Sequence, residues 1–338
     1  MRQHGIKYFI MRTLLAALPV IIFIGAYVVL DPFKVIHRYD ELPQPGDTIA
    51  LGYNQGFASI KALERNLNAS RTYDSFILGS SMSQTYRASL WRTHLPQGAS
   101  VFHLDASEET VQGIVDKLNY LHDKGLKVKN ALIIIEEAML HREPCDDNFL
   151  FVRPPATTDD VNRLQFHMLF FNVFKNPMFI KYSLCPERYQ DQMIKQRLAT
   201  TNVHTHTDSI NENIYTHLDS LIAADPDAYY TSERLQRNYY MRPAGTDLPG
   251  ITPAIENSIK LLSELLKRDN VNYLVVMPPR FNRQPLHPQD KAVLLRYLDA
   301  SRVHDLTRHP YADDPRAYYD WAAHLTTARC DTLLELCY

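Results

Sequence analysis

The 338-residue sequence lacks the features that mark several large functional classes. It has no excess of basic residues, since 36 Lys and Arg stand against 38 Asp and Glu and the formal net charge is -2. No basic field exists to attract nucleic acid, and no zinc-finger, helicase or RNA-recognition motif is present. The absence of a C-x-x-C pair disfavours a zinc ribbon or a thioredoxin-type site. Internal repeats and low-complexity tracts are also missing, so the remaining composition is that of an ordinary globular protein.

Only one hydrophobic run is long enough to cross a bilayer, and it lies at the N-terminus. The stretch from Thr13 to Leu30 is uncharged and approaches the ~20 residues that a spanning helix needs. Asp31-Pro32 follows without a small-residue cleavage pattern, which favours an anchor over a removed signal peptide. Basic residues precede the run: Arg2, Lys7 and Arg12. The positive-inside rule therefore predicts a single-pass protein with a cytoplasmic N-terminus and a periplasmic or extracellular main domain. The alternative is a buried core helix.

The sequence has four cysteines, an even number in a chain predicted to lie outside the cytoplasm. Four cysteines allow three pairings, and one of them joins Cys145 to Cys185 and Cys330 to Cys337. The other interpretation is that some are buried small apolar side chains.

After an N-terminal stub and anchor (1–30) and a turn-rich juxtamembrane segment (31–72), the pattern from Tyr73 to the end alternates strand and helix signals. The predicted strands are "SFILGS", "ASVFHLDAS", "NALIIIEEAML", "VNYLVVMPP" and "RVHDL". The predicted helices are "MSQTYRASLWRTHL", "EETVQGIVDKLNYLHDKGL", "PAIENSIKLLSELLKRDN" and "PQDKAVLLRYLDA". Such β-α repeats predict a parallel sheet with helices on both faces. Residues of about 138–250 break the rhythm and form an insertion, a candidate lid or recognition surface.

Gly79-Ser80-Ser81 follows the first strand, and ligands bind at the carboxyl ends of such strands. A serine that opens a helix has backbone N–H groups suited to developing negative charge, but it needs a histidine to activate it. Asp320 and His324 lie just after the last strand and could supply that pair on one face of a helix. The alternatives are a small-residue turn and a surface ion pair.

These motifs, "FILGSSMS" and "YYDWAAHLT", resemble the SGNH (GDSL-type) hydrolase superfamily, especially its membrane-anchored members in D-alanyl transfer and alginate acetylation. The resemblance implies a three-layer α/β/α, flavodoxin-like parallel sheet over about 73–338, carrying the long insertion and the N-terminal transmembrane helix, with no cofactor. It also implies that Ser81 is the nucleophile, that His324 is the general base and that Asp320 orients it. Ser80 would occupy the usual aspartate position.

Three departures from the family pattern matter. The terminal motif is one residue longer than Asp-x-x-His. The second block, "HLDASEET", lacks the oxyanion-hole glycine, which leaves the backbone N–H of Ala106 or Ser107. The third block has Glu136-Glu137 in place of asparagine, and an ionised carboxylate cannot donate to an oxyanion.

Charged residues at other strand ends are further candidates for the site. One of Glu136 and Glu137 is expected at the functional edge, with Glu137 retained as a site candidate, while the other is solvated. Arg280 would hold an anionic substrate or form a structural salt bridge. Three histidines in the insertion lack firm metal-ligand spacing, so no metal is assigned: His204, His206 and His217.

Two functions follow from different classes. The first is a membrane-tethered serine esterase or O-acyltransferase that acts on a cell-envelope glycan, partnered by a membrane-bound O-acyltransferase as the family resemblance implies. The second is a non-catalytic accessory protein of the same fold that binds glycan or such a partner through the insertion.

Overall fold

The computed structural model describes residues 2–39, 50–52, 54–196, 198–200, 205–206, 210–214, 216–231, 248–281, 285–320 and 324–338. The chain divides into two compact units. The smaller unit combines residues 1–53 with 167–203, and the larger one combines 54–166 with 204–338.

The described helices and strands are as follows. The α-helices are α1 (Arg2–Leu30), α2 (Gln55–Asn68), α3 (Ala88–Trp91), α4 (Val111–Asp123), α5 (Arg163–Phe174), α6 (Pro177–Leu184), α7 (Pro186–Lys195), α8 (Thr216–Ala224), α9 (Pro226–Thr231), α10 (Pro253–Arg268), α11 (Pro288–Tyr297) and α12 (Thr327–Glu335). The strands are β1 (Ala50–Leu51), β2 (Ser75–Gly79), β3 (Val101–Asp105), β4 (Asn130–Ile134), β5 (Ala199–Thr200), β6 (Thr205–His206), β7 (Asn213–Ile214), β8 (Asn272–Met277) and β9 (Val303–Asp305). Two short antiparallel pairs, β1 with β5 and β6 with β7, lie outside the main sheet.

The larger unit is built on a five-stranded parallel sheet in the order β3-β2-β4-β8-β9. Gly79 at the end of β2 pairs in register with Asp105 of β3 and Ile134 of β4, so these three strands end at one level. The chain places β3 on one side of β2 and then β4 on the other. The carboxyl end of β2 is therefore the topological switch point, where open α/β sheets bind ligands. The predicted parallel α/β sheet is confirmed.

Both faces of this sheet are buried, which explains why its strands are almost uninterruptedly apolar. Phe76 and Leu78 point into a cluster with helices α2, α4, α10 and α11. Ile77, between them, points into a second cluster that includes Trp91 of α3 and Leu333 of α12.

The larger unit begins at Asn54 and not at the predicted boundary near residue 73. Helix α2 buries Ile60 and Leu63 completely against the sheet, so the second half of the predicted juxtamembrane segment is part of the core. Residues 167–203 of the predicted insertion group with the N-terminal residues instead.

In the smaller unit, Ile6–Leu30 of α1 is long and apolar enough to cross a membrane. The buried Asp31 carboxylate follows it and accepts hydrogen bonds from four consecutive backbone N–H groups, those of residues 35 to 38. The chain is thereby fixed in a tight turn directly after the helix.

All four cysteines are free thiols, so neither predicted disulfide forms. Cys330 lies on α12 with its Sγ 3.1 Å from Thr85 Oγ1, and Cys337 donates to the Leu333 carbonyl. Cys337 lies beyond the end of α12 at Glu335. Cys145 donates to Asp147, and Cys185 is exposed.

Candidate active site

The two serines after β2 have different environments. Ser80 is buried, and its Oγ accepts a hydrogen bond from the Met82 N–H, which caps the 3-10 helix Ser81–Thr85. Ser81 is half-buried at the first position of that helix. The single helix predicted here is instead this five-residue 3-10 turn followed by the four-residue α3, so the expected dipole of a long helix is missing.

Gly79 is required at the end of β2 because neighbouring backbone approaches it closely. A Cβ at this position would lie 2.8 Å from the Ile134 carbonyl oxygen and 2.9 Å from Ser83 Cβ. Any side chain would push β2 from β4 or displace the turn that carries Ser81.

Ser81, His324 and Asp320 form a continuous hydrogen-bonded chain across 243 residues of sequence. Ser81 Oγ lies 2.9 Å from His324 Nε2. On the other side of the ring, His324 Nδ1 lies 2.5 Å from Asp320 Oδ2, and the His324 backbone N–H donates to Asp320 Oδ1 at 3.1 Å. The contact between His324 Nδ1 and Asp320 Oδ2 fixes the tautomer in which Nδ1 carries the proton and Nε2 accepts from the serine.

Neither Asp320 nor His324 lies in a helix, and the prediction that they share a helix face is wrong. Tyr318 and Leu325 form an antiparallel bridge, and the Tyr319 N–H donates to the His324 carbonyl at 2.8 Å. Helix α12 begins only at Thr327. The extra residue between Asp320 and His324 does not separate their side chains, since His324 Nδ1 and Asp320 Oδ2 are in contact; residues 321–323 lie outside the described part of the chain.

Opposing electrostatic effects act on His324. Burial by itself would lower its pKa, but the charge and hydrogen bond of Asp320, with the charge of Glu136, outweigh burial and raise the pKa above its ordinary value. The positive charge of Arg280 lowers the pKa of His324. The imidazole therefore stays a stronger base than a free histidine.

A charged cluster surrounds the end of β4. Glu136 and Glu137 are both buried, so the expectation that one is solvated was wrong. Arg280 Nη1 lies 3.8 Å from Glu136 Oε2 and 3.6 Å from Glu137 Oε2. His141 Nε2 lies 2.7 Å from Glu137 Oε1, and Arg142 Nη1 lies 3.8 Å from Glu136 Oε1. Sequence reasoning missed His141 and Arg142, although the i, i+4 spacing of Glu137 and His141 was a signal for their contact.

The two predicted backbone donors differ. The Ala106 N–H donates to the Gly79 carbonyl at 3.2 Å, so it is already used in holding the two strand ends together and Ala106 is not an oxyanion donor. For the Ser107 N–H, no acceptor is found in the described part of the chain. The Ser81 N–H opens its 3-10 helix and has no intrahelical acceptor by position.

A buried polar network supports the neighbouring strand end. The Asp105 carboxylate, fully buried at the end of β3, accepts from Ser59 Oγ at 2.7 Å, Gln84 Nε2 at 2.5 Å and Gln55 Nε2 at 3.2 Å. Sequence reasoning missed this network because it left α2, which carries Gln55 and Ser59, outside the domain.

Within the described ranges, no three His, Cys, Asp or Glu side chains converge to hold a metal. His204 lies outside those ranges, as do the side chains of His206 and His217. Comparison of the sequence with models of known protein families and with curated protein sequences finds no match.

Proposed function

We propose that this protein is a serine acyl-transfer enzyme, an esterase or O-acyltransferase of the SGNH type. The single observation that carries the proposal is the chain of contacts from Ser81 Oγ to His324 Nε2 at 2.9 Å and from His324 Nδ1 to Asp320 at 2.5 Å. The sheet supports the same family in its flavodoxin-like form, because the strands run in the order second, first, third, fourth, fifth.

The geometry suits a two-step acyl transfer. Ser81 Oγ attacks the carbonyl carbon of an ester as its proton passes to His324 Nε2, and Asp320 stabilises the resulting imidazolium. The N–H groups of Ser81 and Ser107 would face the oxyanion. Collapse breaks the ester bond, and His324 returns the proton to the leaving alcohol. An acceptor hydroxyl then attacks the acyl-serine, gives its proton to His324 and restores Ser81.

Transfer to a sugar hydroxyl and hydrolysis differ only in the acceptor. A helix able to cross a membrane favours transfer, because it would hold Ser81 beside a membrane-embedded acyl donor. We therefore propose a cell-envelope glycan as the acceptor and a membrane-bound O-acyltransferase as the partner, with the main domain periplasmic or extracellular.

A non-catalytic accessory role is the second candidate. Two observations favour it: the Ala106 N–H is already bonded to Gly79, and Glu136 occupies a buried position where the family has an amide donor. Both weaken the oxyanion hole and leave the serine and histidine intact. The accessory protein would bind glycan or the acyltransferase without forming an acyl-serine.

Labelling with a fluorophosphonate probe separates the two candidates, because the probe reacts only with an activated serine. The full-length protein in detergent should be labelled, and Ser81→Ala and His324→Ala should abolish the signal. Ser80→Ala is the matched control. It removes the helix cap, which should lower the free energy of unfolding by about 1 kcal/mol, and it leaves the nucleophile in place. Labelling of the folded Ser81→Ala variant at the parent level contradicts the enzymatic proposal.

A further inference from the structure

An aromatic cluster joins α1 to α5 within the smaller unit. Phe23 of α1 lies with its ring centroid 5.8 Å from that of Phe171 and 5.0 Å from that of Phe174. One turn further along α1, Tyr27 packs on the same two rings at 5.4 and 5.5 Å. The C-terminal half of α5 therefore lies against the last two turns of α1.

The position of Phe23 along α1 fixes the depth of this contact. The uncharged stretch of α1 between Arg12 and Asp31 is 18 residues, about 27 Å of helix, and a bilayer core of about 30 Å uses all of it. Phe23 comes seven residues before Leu30, which is about 10 Å inside the end of that stretch. Side chains that pack on Phe23 share this depth, so Phe171 and Phe174 cannot lie in water if α1 crosses the membrane.

Several of the exposed side chains of α5 and α6 are apolar. Phe179 of α6 is buried against Phe174, with ring centroids 5.6 Å apart. Ile180 and Leu184, four residues apart on one face of α6, are 39% and 77% exposed, and Met168 of α5 is 45% exposed. Water would surround these side chains if this unit stood clear of the membrane.

We propose that α5 and α6 form a hydrophobic shelf that inserts into the leaflet at the Leu30 end of α1, with lipid acyl chains covering Met168, Ile180 and Leu184. Lys181 of α6 and Lys175, in the turn between α5 and α6, are exposed, and their long side chains can reach the headgroups. The inference rests on α1 crossing the membrane, and it makes part of the predicted insertion a second membrane contact.

Brominated lipids, which quench tryptophan fluorescence on contact, test the shelf in the full-length protein reconstituted in phosphatidylcholine nanodiscs. Leu184→Trp and Met168→Trp report on the shelf, and each is compared with the parent to remove the signal of the two native tryptophans. Ile22→Trp, 62% exposed on α1, is the reference for the span. Asp191→Trp, exposed on the polar helix α7, is the matched control in the same unit.

The proposal expects brominated chains to remove most of the added emission in the Ile22, Leu184 and Met168 variants and none in the Asp191 variant. Quenching at Ile22 without quenching at Leu184 and Met168 overturns the shelf and keeps the anchor. No quenching at Ile22 overturns both. Fluorophosphonate labelling of Ser81 in the same samples is unaffected by either failure, so the acyl-transfer proposal is judged separately.

Discussion

Replacing Asp320 by asparagine perturbs the site at its most informative contact. The carboxylate lies 2.5 Å from His324 Nδ1, and the side chains of His324 and Asp320 are 28% and 15% exposed, so water screens the pair only in part. A hydrogen bond to a charged group contributes about 1.5–3 kcal/mol, and losing this one lowers the pKa of His324. Loss of the correct tautomer adds to this, so we expect the labelling rate of Ser81 to fall by about 10² to 10⁴.

The assay is the second-order rate constant for fluorophosphonate labelling as a function of pH. His324 acts as a base only when neutral, and its pKa is raised, so the parent rate should increase with pH through a midpoint above the ordinary histidine value of about 6.5. In Asp320→Asn the midpoint of the pH profile should move to lower pH, and the maximal labelling rate should fall. Asp313→Asn, an exposed carboxylate in the same segment, is the control.

Protein stability gives a second readout with a defined sign. Because the pKa of folded His324 is raised, the ion pair stabilises the fold fully below the unfolded pKa of about 6.5, and this contribution disappears as the pH rises through the folded pKa. Asp320→Asn should therefore lower the melting temperature more near pH 6 than near pH 9. A variant that labels at the parent rate with an unchanged midpoint refutes the assigned role of Asp320.

Three further predictions concern the neighbourhood of the site. Glu136→Gln should lower the midpoint of the labelling profile and Arg280→Gln should raise it, because their charges act on the pKa of His324 in opposite directions; a shift of both midpoints in one direction contradicts this. Gly79→Ala should lower the free energy of unfolding in urea by about 1–3 kcal/mol, because its Cβ meets the carbonyl at the end of β4. An unchanged urea midpoint argues against that clash. Burial raises the pKa of Cys330 to about 12, so mass mapping after treatment with a maleimide should find it modified only in denatured protein, and modification of the native thiol contradicts its burial.

The parallel sheet could be predicted from sequence because its strands are short apolar runs between helices with clear amphipathic spacing. The same reasoning placed Ser81 at the carboxyl end of a strand. It chose His324 as the base because of its pairing with Asp320, and the structure has Ser81 Oγ 2.9 Å from His324 Nε2. Sequence reasoning missed α2, because no strand signal brackets that helix, and with it the buried network around Asp105.

Local geometry at the site could not be predicted from sequence. The spacing of Asp320 and His324 fits one face of a helix, whereas both residues lie outside helices and are flanked by an antiparallel bridge between Tyr318 and Leu325. Ala106 stands at the expected position for an oxyanion donor, but strand pairing directs its N–H to Gly79. Backbone hydrogen bonds of this kind depend on the packing of distant segments and leave no pattern in the residues themselves.

Capture of the covalent intermediate tests the central claim most directly. The full-length protein is mixed with p-nitrophenyl acetate, quenched in acid and digested, and the peptide spanning residues 72–87 is sequenced by mass spectrometry. The acyl-transfer account predicts an acetyl group on Ser81, its loss in Ser81→Ala and His324→Ala, and its retention in Ser80→Ala. Acetylation of another residue in that peptide, or equal acetylation of the folded His324→Ala variant, would contradict it.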